Sequence, residues 1–537
     1  MKLNTVYLFV ILITLNMGCT SKPTEQRRPN ILFAISDDQT FQHTGFAGCN
    51  FVNTPAFDMV ASEGIYFSNC YASSPGCAPS RSSIVTGRHH WQNEQSGQHA
   101  SSWMKKHVPF IDLLEKNGYT TGLTGKGVAP FQYARNEKDS LWRKDNAAGK
   151  SYSKIAYNAK NDTRFAKGIK NLNYFENFKY FIDNVRGNKP FFFWYGASEP
   201  HRAYEKGSWK RMGKKLEDVK VPEFLPDNDE IRGDLLDYAV EIEWFDHHLG
   251  LMLNYLEEIN ELDNTIVIVT ADNGMPFPRA KANCFEYGVH VPFAIRYPKE
   301  FPGKRIVKDL VSFVDIAPTI LELTKTQSEN MLPISGKSFL KILRSKKQGI
   351  IDKNKEFVVA GRERHSSSRY LNWGYPQRVI RSEDFIYIWN IKSKRWPAGA
   401  PQRINPEDST ALWPMYGINE KGKYMSNGAF TDIDDCPSKT YIIENHEDPE
   451  VAEYFKLAHG KRAEIELYHV TDDPYCLNNL AGISKYAPIE KNLKNKLMAE
   501  LQRSKDPRVV GPDKEVFDSY IRYSPMRDFS KPEYVKQ

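Results

Sequence analysis

Three stretches of this chain are apolar without a break for about the length of a β-strand, and each then stops on charged or amide residues. Ile31-Leu32-Phe33-Ala34-Ile35-Ser36 runs into Asp37-Asp38-Gln39, Thr265-Ile266-Val267-Ile268-Val269-Thr270-Ala271 runs into Asp272-Asn273-Gly274, and Pro190-Phe191-Phe192-Phe193-Trp194-Tyr195-Gly196 leads to Glu199-Pro200-His201. A fourth, Tyr119 to Gly125, is richer in threonine and glycine and ends on Lys126. A strand apolar on both faces must be covered on both faces, so these runs predict a large, mostly parallel sheet with helices on either side, an α/β architecture. The helices are expected from Val108 to Asn117, stopping at Gly118, and from about Gly233 to Ile259, where Leu236, Ala239, Ile242, Phe245, Leu249, Met252 and Leu256 recur at helical spacing. His247 and His248 are read as helix surface, because adjacent helical positions point apart.

In such sheets ligands bind beyond the carboxyl ends of the strands. The residues that close the four runs, although more than 200 positions apart in the chain, are therefore expected at one site. Two adjacent carboxylates cannot both be buried there without a cation. Asp37, Asp38, Asp272 and Asn273 offer only oxygen ligands, which favours a hard ion, calcium or magnesium, over zinc. The seven cysteines, at 19, 49, 70, 77, 284, 436 and 476, show no CxxC spacing that would suggest zinc. A Cys49–Cys70 disulfide is one option in an oxidising compartment.

Cys77-Ala78-Pro79-Ser80-Arg81, followed by Ser82-Ser83-Ile84-Val85-Thr86-Gly87-Arg88, is read as a proline-constrained turn carrying a cysteine, a serine and an arginine. It resembles the signature of the type I, formylglycine-dependent sulfatases. The resemblance implies an alkaline-phosphatase-like sandwich with a large mostly parallel sheet, plus a smaller C-terminal α+β subdomain with an antiparallel sheet. It implies that a formylglycine-generating or sulfatase-maturating enzyme oxidises Cys77 to formylglycine (3-oxoalanine), and that one calcium ion is held by Asp37, Asp38, Asp272, Asn273 and residue 77. Arg81, Lys126 and Lys281 match the family's sulfate-binding cations, and His201 matches a histidine that contacts sulfate or protonates the departing group. Asp272-Asn273-Gly274-Met275-Pro276-Phe277-Pro278 is similar to the heparan N-sulfatase (sulfamidase) branch, and Leu467-Tyr468 to Asn479-Leu480 resembles the family's C-terminal close. One departure stands out: Gly125-Lys126-Gly127-Val128 places valine where many members carry histidine. Either His89, His90 or His99 takes over, or turnover is slow or lost.

The organisation expected is a signal peptide over 1–19, a tether over 20–28, a catalytic domain over 29–345 and a C-terminal subdomain over 356–537. Met-Lys, the apolar run Val6 to Leu15 and Gly18-Cys19 describe an export signal of lipoprotein type, with Cys19 lipidated and the protein placed in the periplasm or at the outer-membrane surface. Short strands are expected at 357–360, 385–389 and 466–470, with a closing helix from Pro488 to Leu501. The irregular stretch from Arg395 to Pro437 is too long for an idle connector and is assigned to the pocket wall. His99, His365, Arg369 and Trp396 are candidates for sugar recognition, with an ordinary structural role as the alternative for each.

A net charge of +7 beside 66 acidic residues, without a basic run or nucleic-acid motif, argues against nucleic acid and suits an anionic partner. The function expected is hydrolysis of sulfate esters or N-sulfate on a glycosaminoglycan or an algal polysaccharide such as ulvan. The alternatives are a phosphomonoester or phosphonate hydrolase on the same scaffold, and a lipoprotein that binds sulfated glycans without cleaving them.

Overall fold

A computed structural model describes residues 27–133 and 142–535. The segment expected as a signal peptide, with Cys19, lies outside the described residues. At the start of the described residues Arg27 pairs with Glu261 at 2.6 Å, and Arg28 donates to the Asn117 carbonyl at 2.6 Å.

Seven strands form the main sheet: Asn30–Ser36 (β1), Ile65–Phe67 (β2), Thr120–Gly125 (β3), Phe191–Gly196 (β4), Thr265–Ala271 (β5), Phe293–Arg296 (β6) and Arg305–Val307 (β7). Their order is β7-β2-β6-β5-β1-β4-β3, and β6 alone runs antiparallel to its neighbours. The alternation along each strand explains the unbroken apolar runs. Ile31, Phe33 and Ile35 join one core with Phe192, Trp194, Ile266 and Ile268. Leu32 and Ala34 join a second with Phe191, Phe193, Tyr195, Val267 and Val269. Burying each large side chain contributes about 1.5–3 kcal/mol, so both faces hold the sheet in place.

Helices Cys77–Thr86 (α2), Phe110–Lys116 (α3) and Ile316–Leu323 (α6) cover the first face. Helices Pro55–Glu63 (α1), Tyr174–Asn184 (α4) and Asp229–Glu258 (α5) cover the second. Helix α5 starts four residues before the apolar periodicity does, because the Asn228 side chain caps it by accepting from the Ile231 N–H at 3.1 Å. His248 on this helix is buried rather than on the surface, and its Nδ1 accepts from the Phe175 N–H at 3.2 Å. Cys49 and Cys70 are both free thiols, so the disulfide does not form. Among the described residues no helix is long and apolar enough to cross a membrane.

The C-terminal region carries a separate antiparallel sheet of Val358–Arg362 (β8), Gln377–Arg381 (β9), Phe385–Asn390 (β10) and Ile465–His469 (β11), in that order. Leu493, Leu497 and Leu501 of helix Ala487–Arg503 (α7) pack with Val359, Ile380, Tyr387 and Leu467 on one face. Val358, Ala360, Val379, Ile386 and Ile388 on the other face meet Tyr71, Phe285 and Val289 of the larger region. The smaller sheet thus fixes the loops that follow β8 against the edge where β1 and β5 end.

Candidate active site

Backbone hydrogen bonds just past the strand ends build the site. The Asp272 N–H donates to the Ser36 carbonyl at 3.1 Å, the Asp37 N–H to the Glu199 carbonyl at 3.0 Å and the Lys126 N–H to the Gly196 carbonyl at 2.7 Å. The residue after each strand therefore points into one place. Gly196 has to be glycine, since a Cβ there would sit 1.9 Å from the Lys126 carbonyl oxygen.

Cys77 enters from the opposite side as the first residue of α2, which corrects the expectation of a turn. This helix has no apolar stripe because it is buried all round, and its hydroxyls find partners within the helix or on neighbouring segments. Ser83 Oγ donates to the Pro79 carbonyl at 3.1 Å, Thr86 Oγ1 to the Ser82 carbonyl at 2.7 Å, and Ser80 Oγ to the Asp272 carbonyl at 2.6 Å. The last bond ties the helix directly to the end of β5.

Around Cys77 the charges interlock. Arg81 Nε donates to Asp272 Oδ2 at 2.7 Å, Lys126 Nζ pairs with Asp37 Oδ2, and Lys281 Nζ bridges Asp38 Oδ2 at 2.6 Å and Asp434 Oδ2 at 3.0 Å. Asp38 holds a left-handed backbone, φ +73°, that brings its N–H to 3.0 Å from Asp272 Oδ1. Asn273 Nδ2 donates to Asp38 Oδ1 at 2.7 Å. His201 Nδ1 lies 2.7 Å from the Arg202 carbonyl, which can only accept, so the proton sits on Nδ1. Its Nε2 faces Asp38 Oδ2 at 3.9 Å, and the ring is 36% exposed.

Burial opposes ionisation of Asp37, but Lys126, with help from Arg81 and His201, holds its carboxyl below the usual range. Asp272 moves up, through burial and the neighbouring Asp37 charge. Burial pushes the Cys77 thiol up to about 12 despite Lys126, so residue 77 is no thiolate nucleophile as it stands.

Asp37 Oδ1 and Asn273 Oδ1 are buried with no donor, and ligand atoms of Asp37, Asp38 and Cys77 lie within 4.8 Å of one another. Buried acceptors left without donors are costly. An all-oxygen set with two such atoms fits a hard divalent cation, and the residues present therefore fit the calcium ion inferred for them.

The remaining candidates divide. His365 lines the site: a Cβ on Gly76, the residue before Cys77, would lie 3.1 Å from its Nδ1. His99 stands behind it, with ring centroids 5.2 Å apart. Burial pushes the His99 imidazole well down, and the charges of Arg522, Lys126 and Lys281 act in the same direction. His89 points elsewhere, stacked on Trp91 and 3.2 Å from Glu500, and His90 packs beneath Gly361. Val128 is fully buried. Arg369 is turned inward, its five donors taken by Trp396, Ser368, Trp373 and Pro397 oxygens and by Asp432. Trp396 packs with Phe430 and under Lys461. Asp434 was not visible as a site residue. Only its place in the irregular 395–437 stretch hinted that it could reach the pocket.

A family model for sulfatases matches residues 29–326. Human N-sulphoglucosamine sulphohydrolase is 24% identical, covering 92% of this chain and 93% of its own. An ulvan-active sulfatase of Formosa agariphila is also 24% identical, covering 92% of this chain and 77% of its own. A structure described in complex with its substrate D-glucosamine-2-N,6-O-disulfate shares the fold, with a TM-score of 0.59, 20% identity and coverage of 89% of this chain and 99% of that one. The fold and the family match define a sulfuric ester hydrolase. The chain belongs to the sulfatase family, near the sulfamidase branch.

Proposed function

We propose that this protein removes sulfate, O- or N-linked, from a saccharide of glycosaminoglycan or ulvan type, once a maturating enzyme has converted Cys77 to formylglycine. Asp37, Asp38, Asp272 and Asn273 would hold a calcium ion beside it. The observation that carries this reading is the pair of buried, donor-free oxygens on Asp37 and Asn273, set against residue 77 and three cations. The names of the relatives support the saccharide class.

When present, the formylglycine supplies an oxygen nucleophile, and the calcium ion adds charge that favours its ionisation and orients the sulfate. The chain's own residues do the rest. Arg81, Lys126 and Lys281 set fixed positive charge around a group whose oxygens gain charge as the ester breaks, and in a dry pocket this electrostatic help is large. His201 presents Nε2 toward the same space, where a proton can be held for the departing oxygen or nitrogen. His99, which stands behind His365 with ring centroids 5.2 Å apart, is the histidine proposed to stand in for the one replaced by Val128. The chain is exported and tethered to the membrane by lipid on Cys19.

Peptide mass spectrometry across Cys77 in protein from the native host, with ion chromatography of products, tests the reading. The expected result is an aldehyde at residue 77, with sulfate released from sulfated saccharides at rates well above phosphate from an aryl phosphate. An intact thiol together with no sulfate release overturns it.

A further inference from the structure

Among the described residues Arg522 makes no ion pair, although the charge of Asp432 acts on it from farther off. Its Nε is buried without an acceptor, and its Nη1 reaches His99 Nδ1 and the His365 carbonyl at 3.5 Å each. Three more arginines nearby share this condition. Arg364, 3% exposed, spends its Nη atoms on the Tyr520 and His99 carbonyls, at 2.7 and 3.2 Å, and on the Ser101 hydroxyl. Arg527 donates to the Ser367 carbonyl at 3.2 Å and to Asn427 Oδ1 at 2.5 Å. Arg403, 9% exposed, donates to the Asn427 carbonyl at 3.2 Å. By contrast, Arg362 and Arg369 in the same region both pair with Asp432.

Among the described residues none of these four guanidiniums makes an ion pair, and the charges of Asp432, Asp518 and Asp528 reach Arg522, Arg364 and Arg403 only from farther off, so the cluster is short of direct counter-ions. They crowd one another: burial and Arg522 push Arg364 down to about 9, and burial with Arg527 lowers Arg522. The cluster also adjoins the site. Arg522 rests on His365, whose ring lies against Gly76 beside Cys77.

We propose that Arg522 and Arg527, backed by Arg364 and Arg403, form a second anion subsite next to the sulfate pocket, which takes a further sulfate or a uronate carboxylate on the same saccharide. The proposal deepens the sulfatase reading and rests on it. Guanidinium forks match the oxygens of both groups, and Arg522 and Arg527 are half-buried, leaving them open to a ligand. Trp413, 4.8 Å from the Arg403 guanidinium, offers an aromatic ring along the same wall. The substrate selected is thus a saccharide carrying at least two negative groups.

Calorimetry on the unmatured Cys77 thiol protein tests this without turnover. The probes are a monosulfated neutral disaccharide, a disulfated neutral disaccharide and a monosulfated disaccharide containing a uronate. The full-length protein should bind one or both doubly charged probes about tenfold more tightly than the singly charged one, the effect of one charge-assisted hydrogen bond. Arg522→Gln with Arg527→Gln should bring that ratio close to one, and Arg522→Lys should restore part of it. Which doubly charged probe loses its advantage identifies sulfate or carboxylate. Should the double variant unfold, Arg527→Gln alone must still lower the ratio. A ratio unchanged by the substitutions, or equal losses for all three probes, overturns the subsite. Failure of matured protein to release sulfate would count against the sulfatase reading alone, because the binding ratio is read on the thiol form.

Discussion

Two buried charge clusters in this protein are built to different ends. Behind the smaller sheet, Arg378 and Arg508 meet Glu363 and Asp506: Arg378 Nε to Asp506 at 2.5 Å, Arg378 Nη2 to Glu363 at 2.8 Å, and Arg508 Nη2 to Glu363 at 2.8 Å. None of these four side chains has a buried polar atom without a partner. At the ends of β1 and β5 the carboxylates and cations are as deeply placed, yet Asp37 Oδ1, Asn273 Oδ1 and Arg81 Nη2 are left without hydrogen-bond partners, Arg81 Nη2 standing 4.0 Å from Asp37 Oδ1. The first cluster is closed on itself and serves to fix β9 against the segment after α7. The second is incomplete without a ligand, and its open valences define where cation and sulfate belong.

The two clusters should therefore break in different ways. The largest effect belongs to the open one: Cys77→Ala in matured enzyme should lower sulfate release by at least about a thousandfold, since it removes the group in line for covalent chemistry, with binding of a sulfated disaccharide retained. Wild-type turnover in that variant would refute the role of residue 77. In the closed cluster, Arg378→Met strands Asp506 and half of Glu363 in the interior. Denaturant unfolding should show a loss of about 3–5 kcal/mol, the usual result of removing one partner of a buried pair.

Calcium sharpens the contrast. Added at about a hundred times its dissociation constant, it should stabilise the wild type by about 2.7 kcal/mol, and a chelator should reverse the gain. Asp38→Asn should abolish that response, which is read as the difference with and without calcium and is therefore separate from the metal-free stability lost with the buried Lys281 pair. A calcium response in Asp38→Asn equal to wild type would remove Asp38 from the ligand set. Arg378→Met, though weakened, should keep its calcium response.

What could be read from the chain alone follows the same division. Strands β1, β4 and β5 were legible because burial on both faces leaves a run of apolar residues with no alternation to misread. The polar residues closing those runs were legible as a site because parallel ladders carry them to one edge. Helix α2 was not, since a helix buried among polar groups has neither stripe nor apolar face, and the bond that fixes it, Ser80 Oγ to the Asp272 carbonyl, joins residues far apart in the chain. Strand β9 was hidden for a related reason: Gln377, Arg378 and Arg381 look like surface residues until their buried acids are known. Asp434 comes from a segment with no regular element to give it a direction. The unpaired arginines around Arg522 were illegible, because lacking a partner is a property of three dimensions.

The smallest effect concerns the contact between the two regions. Glu286, 5% exposed, receives Arg381 Nε of β9 at 2.7 Å and lies 3.2 Å from His290 Nδ1 and 3.4 Å from the Tyr71 hydroxyl. Burial alone would raise its carboxyl, but Arg381 and His290 prevail and bring it to about 2, from an ordinary value of 4.5. A carboxyl with a lower pKa folded than unfolded binds fewer protons when folded. Its stabilisation is therefore complete above about pH 4.5 and is lost as the pH falls toward 2. Glu286→Gln should cost about 2 kcal/mol at pH 6.5, the scale of a charge-assisted hydrogen bond. The gap between wild type and variant should narrow at pH 3.5 and nearly close at pH 2, read from urea midpoints at each pH. A gap of constant size across that range would mean that the ion pair contributes shape and not charge, and that the smaller sheet is held to the larger region by the apolar contacts of Tyr71, Phe285 and Val289 alone.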